Sequence, residues 1–250
     1  SGTTQKMLST TARRLASAAA SASRTLETAS RDPTIKYDFV PAEARDKGEI
    51  MDVTLNHFFT IEPHSRALGI KAEKAGGFVD WIVSKSLKYP HSYRIVHRET
   101  NKLVGIRLMS EWERDSVDPT ETVDITKLDE STLILLSILD NLKTSFWKLQ
   151  PEAQKVIRRE VTFVHNDHQR QGIAQHLVHL GLDFDALRAR GIDGIMSEAS
   201  SFANQTLLAK NGYKELAQSQ PQQYVRSNGE PVVFPDETRA LKLFYLNLKK

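Results

Sequence analysis

The chain has 250 residues, 40% apolar and 26% charged, which is enough for one sizeable core or two small ones. It holds no cysteine, which excludes a disulfide framework, thiolate metal sites and any cysteine-bound intermediate. The formal charge of +3 and a pI near 9.0 suit an anionic ligand, yet the basic residues are spread along the chain, so nucleic acid is not implied; no apolar run of about 18 residues is present to span a membrane.

Residues 1–34 form a Ser/Ala/Arg-rich extension with Arg13, Arg14 and Arg24 placed off an Ala/Leu helical face. This resembles a mitochondrial transit peptide and equally fits a disordered or weakly docking extension. The expected address is the cytosol, with the mitochondrion as the alternative. Residues 35–250 are expected to fold as one domain, a monomer or weak dimer.

Ile35 to Val40 reads as a strand, and Glu43 to Phe59 as a helix through Ile50, Val53 and Leu55. "TIEPHSRALG" reads as a loop, and residues 73–89 as an amphipathic helix closed by Pro90. "SYRIVHRETNKLVGIRLMSEW" is a hairpin turning at Glu99 to Lys102, and Asp115 to Lys127 a polar loop. Leu135, Leu139, Leu142, Phe146 and Leu149 mark a buried-face helix stopped by Pro151. "KVIRREVTFV" alternates as a strand through Ile157, Val161 and Phe163, and Ile173, Leu177, Leu180, Phe184 and Leu187 predict one helix up to Gly191. A short strand at "IDGIM", a short helix at "NQTLLAKNGY", a hairpin turn at Asn228-Gly229 and a last strand from Leu241 to Leu248 complete the order. The fold class is α/β or α+β, a mixed sheet with helices on both faces.

The seam "VTFVHNDHQRQGIAQHLV" runs from strand through turn to helix start. Helix-start amides lack intrahelical acceptors, and five in a row, Arg170, Gln171, Gly172, Ile173 and Ala174, around a residue without a Cβ would suit a phosphate. The spacing matches neither the dinucleotide fingerprint nor the P-loop. His165, His168, His176 and His179 gather nearby, but no carboxylate completes a metal-ligand set, so no metal is expected and the rings are placed on a solvated face.

This segment resembles the acetyl-CoA motif of the GNAT superfamily of N-acetyltransferases, with Gln169, Gly172 and Ala174 at its three defining positions. "NQTLLAKNGY" is similar to the superfamily's last helix element through Asn204, Lys210, Gly212 and Tyr213, while its usual tyrosine falls on Leu208. "LNHFFTIEPHSRALG" and the Ser-rich "MSEASSFANQ" resemble the arylalkylamine N-acetyltransferases of insects and nematodes, although His64 stands where a leucine usually follows Glu-Pro.

The resemblance implies a GNAT fold, with mostly antiparallel pairing in its mixed sheet, and direct transfer of acetyl from acetyl-CoA to a small-molecule amine. It places the donor on Gln169 to Gln175 and Asn204, an oxyanion amide within Thr162, Phe163 and Val164, and a general base at Glu62. Ser200 aligns with a serine implicated in catalysis; an N-cap role is the other reading. For Glu62 the other reading is a solvated loop acid. An amine on a protein, or acyl-CoA binding without turnover, are the alternative functions.

Overall fold

The computed structural model describes residues 32–116, 122–220, 224–234 and 240–249. The reading of residues 1–31, and part of the 115–127 loop, lie outside them. Strand β1 (Tyr37–Pro41) leads into helix α1 (Lys47–Val53), which passes through a π-helical turn (Thr54–Phe58) into α2 (Phe59–Ile61). Helices α3 (Pro63–Leu68) and α4 (Ala72–Ser86) precede the hairpin β2 (Tyr93–His97) and β3 (Lys102–Glu113). Then follow α5 (Glu130–Leu149), β4 (Lys155–Val164), α6 (Ile173–Leu177), α7 (Phe184–Ala189), β5 (Gly194–Ala199), α8 (Phe202–Lys210), β6 (Lys214–Gln218) and β7 (Lys242–Asn247).

The strands form one seven-stranded sheet in the order β1-β2-β3-β4-β5-β7-β6. Among the described residues only the central β4–β5 pair is parallel. On one face Ile106, Leu108, Val156, Val161, Phe163 and Met196 pack against α1, α4 and α5 through Ile50, Phe78, Ile138 and Phe146. On the other, Met109, Ile157, Ile195 and Phe244 meet Leu187 of α7 and Leu208 of α8. Ile173 and Leu177 of α6 pack on Tyr37, Ile95 and Val104. The bridge between Val225 and Pro231 bears out the turn at Asn228-Gly229.

Three elements differ from the sequence reading. "TIEPHSRALG" is largely helix, because Pro63 holds Glu62 in the extended region and the Glu62 side chain caps the turn that Pro63 begins. β4 does not alternate evenly: Leu108 pairs with Val161 and Met109 with Arg159, so Glu160 is an extra residue, a bulge. Ile157 consequently faces the opposite side from Val161 and Phe163.

The single helix expected over 173–187 breaks after Leu177. Gly181 sits at φ +66, and a Cβ there would lie 2.2 Å from the Tyr93 hydroxyl, so the chain turns where only glycine fits. The carbonyls freed by the break are taken by buried arginines. Arg107 donates to Leu177 O and, at 2.8 Å each, to Leu180 O and His91 O, with its guanidinium 4.9 Å from the Tyr93 ring centre. Arg159 donates to Val178 O at 3.0 Å. Burial, then the neighbouring Arg159, pushes Arg107 down to about 9.

Replacing Gly181 by Ala is expected to cost about 2–4 kcal/mol in urea unfolding, from backbone strain plus overpacking. Tyr93→Phe, which deletes the clashing oxygen, should recover part of that loss in the double variant.

Candidate active site

The β4–α6 turn is built as the sequence predicts. Arg170 (φ 64) and Gly172 (φ 82) both adopt the left-handed conformation, which curls the chain so that successive amides point to one side. The N–H groups of Arg170, Gln171, Gly172, Ile173 and Ala174 donate to no acceptor among the described residues. The side chains have other tasks. Gln169 Nε2 closes the turn onto Val164 O (3.1 Å) and Asn166 Oδ1 (3.0 Å). Gln175 pairs with Asn211 at 2.9 Å, fastening α6 to the end of α8. The Ile173 side chain is core. Because α6 is only five residues long, its dipole is small and the local amides carry the attraction.

Beside this turn the sheet opens. The β4–β5 register ends at Arg159–Ser197, so residues 160–164 have no strand partner on that side. This exposed backbone edge includes Thr162, Phe163 and Val164, and it can pair with the amides of an extended ligand. The Phe163 side chain is buried, 6.5 Å from the rings of His57 and Phe58 on the π-helical turn. A row of free amides for phosphate and a free strand edge for an amide-bearing arm fit the two halves of acetyl-CoA. Asn204, in the first turn of α8, gives its N–H to Ser201 Oγ at 3.3 Å.

Glu62 lies on the face of the sheet that carries α1 to α5. It is buried, with 7% exposure, and its carboxylate accepts from His64 N (3.1 Å), Ser65 N (2.6 Å) and Ser65 Oγ (2.6 Å). The Ser200 side chain, just past β5, lies beside the same carboxylate and favours its charged form. Burial pushes the Glu62 carboxyl up, but His64, Ser200 and Ser65 more than offset it and hold it at about 2. The solvated-loop reading of Glu62 is thereby corrected. The capping reading of Ser200 is too, since the α8 cap is Ser201.

Two residues before Ser200, Glu198 lines a cavity of about 460 Å³ between α4, α5 and the sheet. At about 3.3 Å of rise per residue, the two side chains stand roughly 7 Å apart along the strand. Phe78, Trp81, Ile82, Val123, Leu133 and Leu136 make its apolar wall. Its floor is ionic: Arg158 Nε and Nη2 reach the Glu198 oxygens at 3.0 and 3.1 Å, and Glu160 accepts from Lys85 Nζ (2.7 Å) and Ser110 Oγ (2.6 Å). Burial raises the Glu160 carboxyl, but Arg158, Lys85 and Ser110 bring it to about 2. Sequence reasoning passed over this network, although the charged run "RRE" inside an otherwise apolar strand is a visible signal for it.

Among the described residues no group of histidines and carboxylates is arranged to hold a metal ion. The histidines do not form a solvated face: His176 packs 4.4 Å from Phe39, and His179 lies against Tyr213 with its Nε2 buried. Leu208 is fully buried with Ile157 and Ile195 and is a packing residue.

No protein-family model matches the sequence, and no curated protein does. Solved structures do. Arylalkylamine N-acetyltransferase 2 of Aedes aegypti superimposes with a TM-score of 0.70 at 17% identity, over 85% of this chain and 99% of its own. The polyamine N-acetyltransferase of Drosophila melanogaster, which forms N-acetylagmatine, gives 0.65 at 13% identity over 84% and 99%. The C-terminal condensation domain of Ebony, in complex with β-alanyl-dopamine, gives 0.62 at 18% identity over 85% and 99%. At such identities the likeness speaks for architecture, and with the open β4–β5 pair and the amide turn it establishes that this chain has the GNAT acyltransferase fold.

Proposed function

We propose that this protein is an acetyl-CoA-dependent N-acetyltransferase of small primary amines, with an arylalkylamine such as serotonin, dopamine, tyramine or octopamine as acceptor. One observation carries the reading: Glu62 and Ser200, from opposite halves of the sequence, come together on the helical face of the sheet, where Ser200 helps hold the Glu62 carboxyl ionised, and Ser200 lies just past a strand whose pairing to β4 has opened.

The amides of Arg170 to Ala174 would hold the pyrophosphate, and the free edge of β4 over 160–164 the pantetheine arm. When bound, acetyl-CoA supplies the activated acetyl group. An amine reaches the site mostly as ammonium, and the ionised Glu62 carboxylate attracts and orients it, since its proton affinity keeps it charged throughout the physiological range. Ser200 stands beside this carboxylate, and its hydroxyl would relay a proton to the departing sulfur while taking one up in turn, the task that Leu208 cannot perform.

The cavity beside Glu198 supports a small acceptor over a peptide. It is walled on the α4 side by Phe78 and Trp81, whose rings lie 5.9 Å apart, and these can take the flat face of an aromatic amine.

Isothermal calorimetry should show coenzyme A binding to the wild type, weakened about tenfold or more by Gly172→Val, because a β-branched side chain does not tolerate this positive φ. Glu62→Gln should lower kcat/KM by about 10²- to 10³-fold without loss of coenzyme A binding. With a panel of aromatic amines, polyamines and peptide N-termini, the aromatic amines should turn over fastest; peptides outpacing them would move the assignment to a protein acetyltransferase. Trp81→Ala should raise KM about tenfold for aromatic amines and leave polyamines nearly unchanged.

A further inference from the structure

His64 is the second residue of α3 and is only 1% exposed, with its ring centre 5.2 Å from that of Phe234. Neither ring nitrogen has a hydrogen-bond partner among the described residues. Its Nδ1 stands 3.5 Å from Glu62 Oε1, an ion-pair distance and longer than a closed hydrogen bond. Buried polar atoms are nearly always satisfied, so an imidazole with both nitrogens open beside a carboxylate is unusual, and a leucine would fill the same space without that cost.

Glu62 is in the opposite condition. Two backbone amides and the Ser65 hydroxyl donate to its two oxygens, and Ser200 stands beside it. To keep a proton it would have to give up donors that stabilise its charge, so it conducts a proton better than it stores one. The adjacent imidazole, when neutral, carries a lone pair on one ring nitrogen that can take up a proton.

We propose that Glu62 and His64 act as one base, in which the proton released by the acceptor amine comes to rest on His64 Nδ1 while Glu62 remains ionised and fixes the ring. An N–H bond of the substrate ammonium breaks and its electron pair stays on the amine for attack. A new N–H bond forms at Nδ1 from the ring's lone pair; at the end of the cycle the ring returns this proton, by way of the Ser200 hydroxyl, to the departing thiolate, and the second proton that the nitrogen loses on becoming an amide passes to water. The inference rests on the acetyltransferase reading above, and it assigns His64 the role of a positioning and storage group acting through Glu62.

The other ionisable groups on elements packed against α3 are committed elsewhere. On α3 itself Arg66 is exposed, and α2 carries no ionisable side chain. Before and in the first turn of α5, Asp129 caps Thr132 N at 2.9 Å and Glu130 binds Ser227 N and Arg226. Asp140 and Lys143 line the cavity and Lys148 lies in the last turn. In the segment bearing Phe234, the Arg226 side chain faces Glu130 at 3.8 Å and Glu230 is exposed.

The test combines kinetics with histidine NMR on the full chain. His64→Leu is expected to lower kcat about 30- to 100-fold, leave KM for acetyl-CoA nearly unchanged and remove the acid limb of the pH–rate profile; His64→Gln, which keeps polarity but takes no proton, should not rescue it. In ¹³C,¹⁵N-histidine spectra, the signal that vanishes in His64→Leu should titrate in the wild type, and its midpoint should fall by about one pH unit or more in Glu62→Gln. A His64 signal that stays fixed between about pH 5 and 9, or that ignores Glu62→Gln, overturns the proposal. So does a His64→Leu enzyme with wild-type kcat and pH profile. The NMR arm needs no turnover, so a protein that acetylates no amine would sink the functional reading while leaving the Glu62–His64 pairing to be decided separately.

Discussion

One extra residue in β4 sets the arrangement of this molecule. Glu160 bulges from the β3–β4 ladder, and from that point the strand changes which side chains it turns to each face. Before it, Arg158 points toward α4 and α5; after it, Val161 and Phe163 do, and the pairing of β4 with β5 has already ceased at Arg159. The bulge and the end of β4–β5 pairing at Arg159–Ser197 fall at adjacent residues, and beyond them the backbone of 160–164 has no strand partner on the β5 side.

Around the bulge lies buried charge. Glu160, Arg158, Lys85 and Glu198 form an ionic floor that is nearly solvent-free, and such groups cost several kcal/mol each in desolvation unless fully paired. Here every carboxylate has a cation or hydroxyl within hydrogen-bonding distance. A hydrophobic floor could be more stable. The ionic one gives the bulge residue a fixed orientation and gives the cavity a polar end beside an aromatic wall, which is the asymmetry a molecule with one charged and one flat end would need.

How far the sequence discloses this depends on whether the information is local. The amide turn was legible because strand, turn and helix start lie within one stretch, and the left-handed glycine at 172 is where the pattern demands it. The buried-face helix from Leu135 and the short helix before Asn211-Gly212 were legible for the same reason. The bulge was not: a single inserted residue leaves the composition of "KVIRREVTFV" strand-like, and only pairing with β3 shows that its two halves face opposite ways. The break at Gly181 was hidden because Leu177, Leu180 and Phe184 preserve helical spacing through it, while the forces that break it come from Tyr93 and Arg107 far away in sequence. Glu62 and Ser200 could be linked only through resemblance; nothing in either segment alone speaks of the other. Pro63 lay in a segment read as a loop, and nothing local showed that it starts a helix that Glu62 itself caps.

The paired guanidinium groups of Arg107 and Arg159 have no carboxylate counter-ion in the contacts described for them; main-chain carbonyls of the 177–180 segment serve instead, with Thr162 Oγ1 accepting from Arg159. Charges sheltered from water in this way are little affected by dissolved ions, and the amides of the adjoining turn carry no formal charge at all. The turn that presents the open amides is therefore braced by contacts that keep their geometry across a wide range of ionic strength.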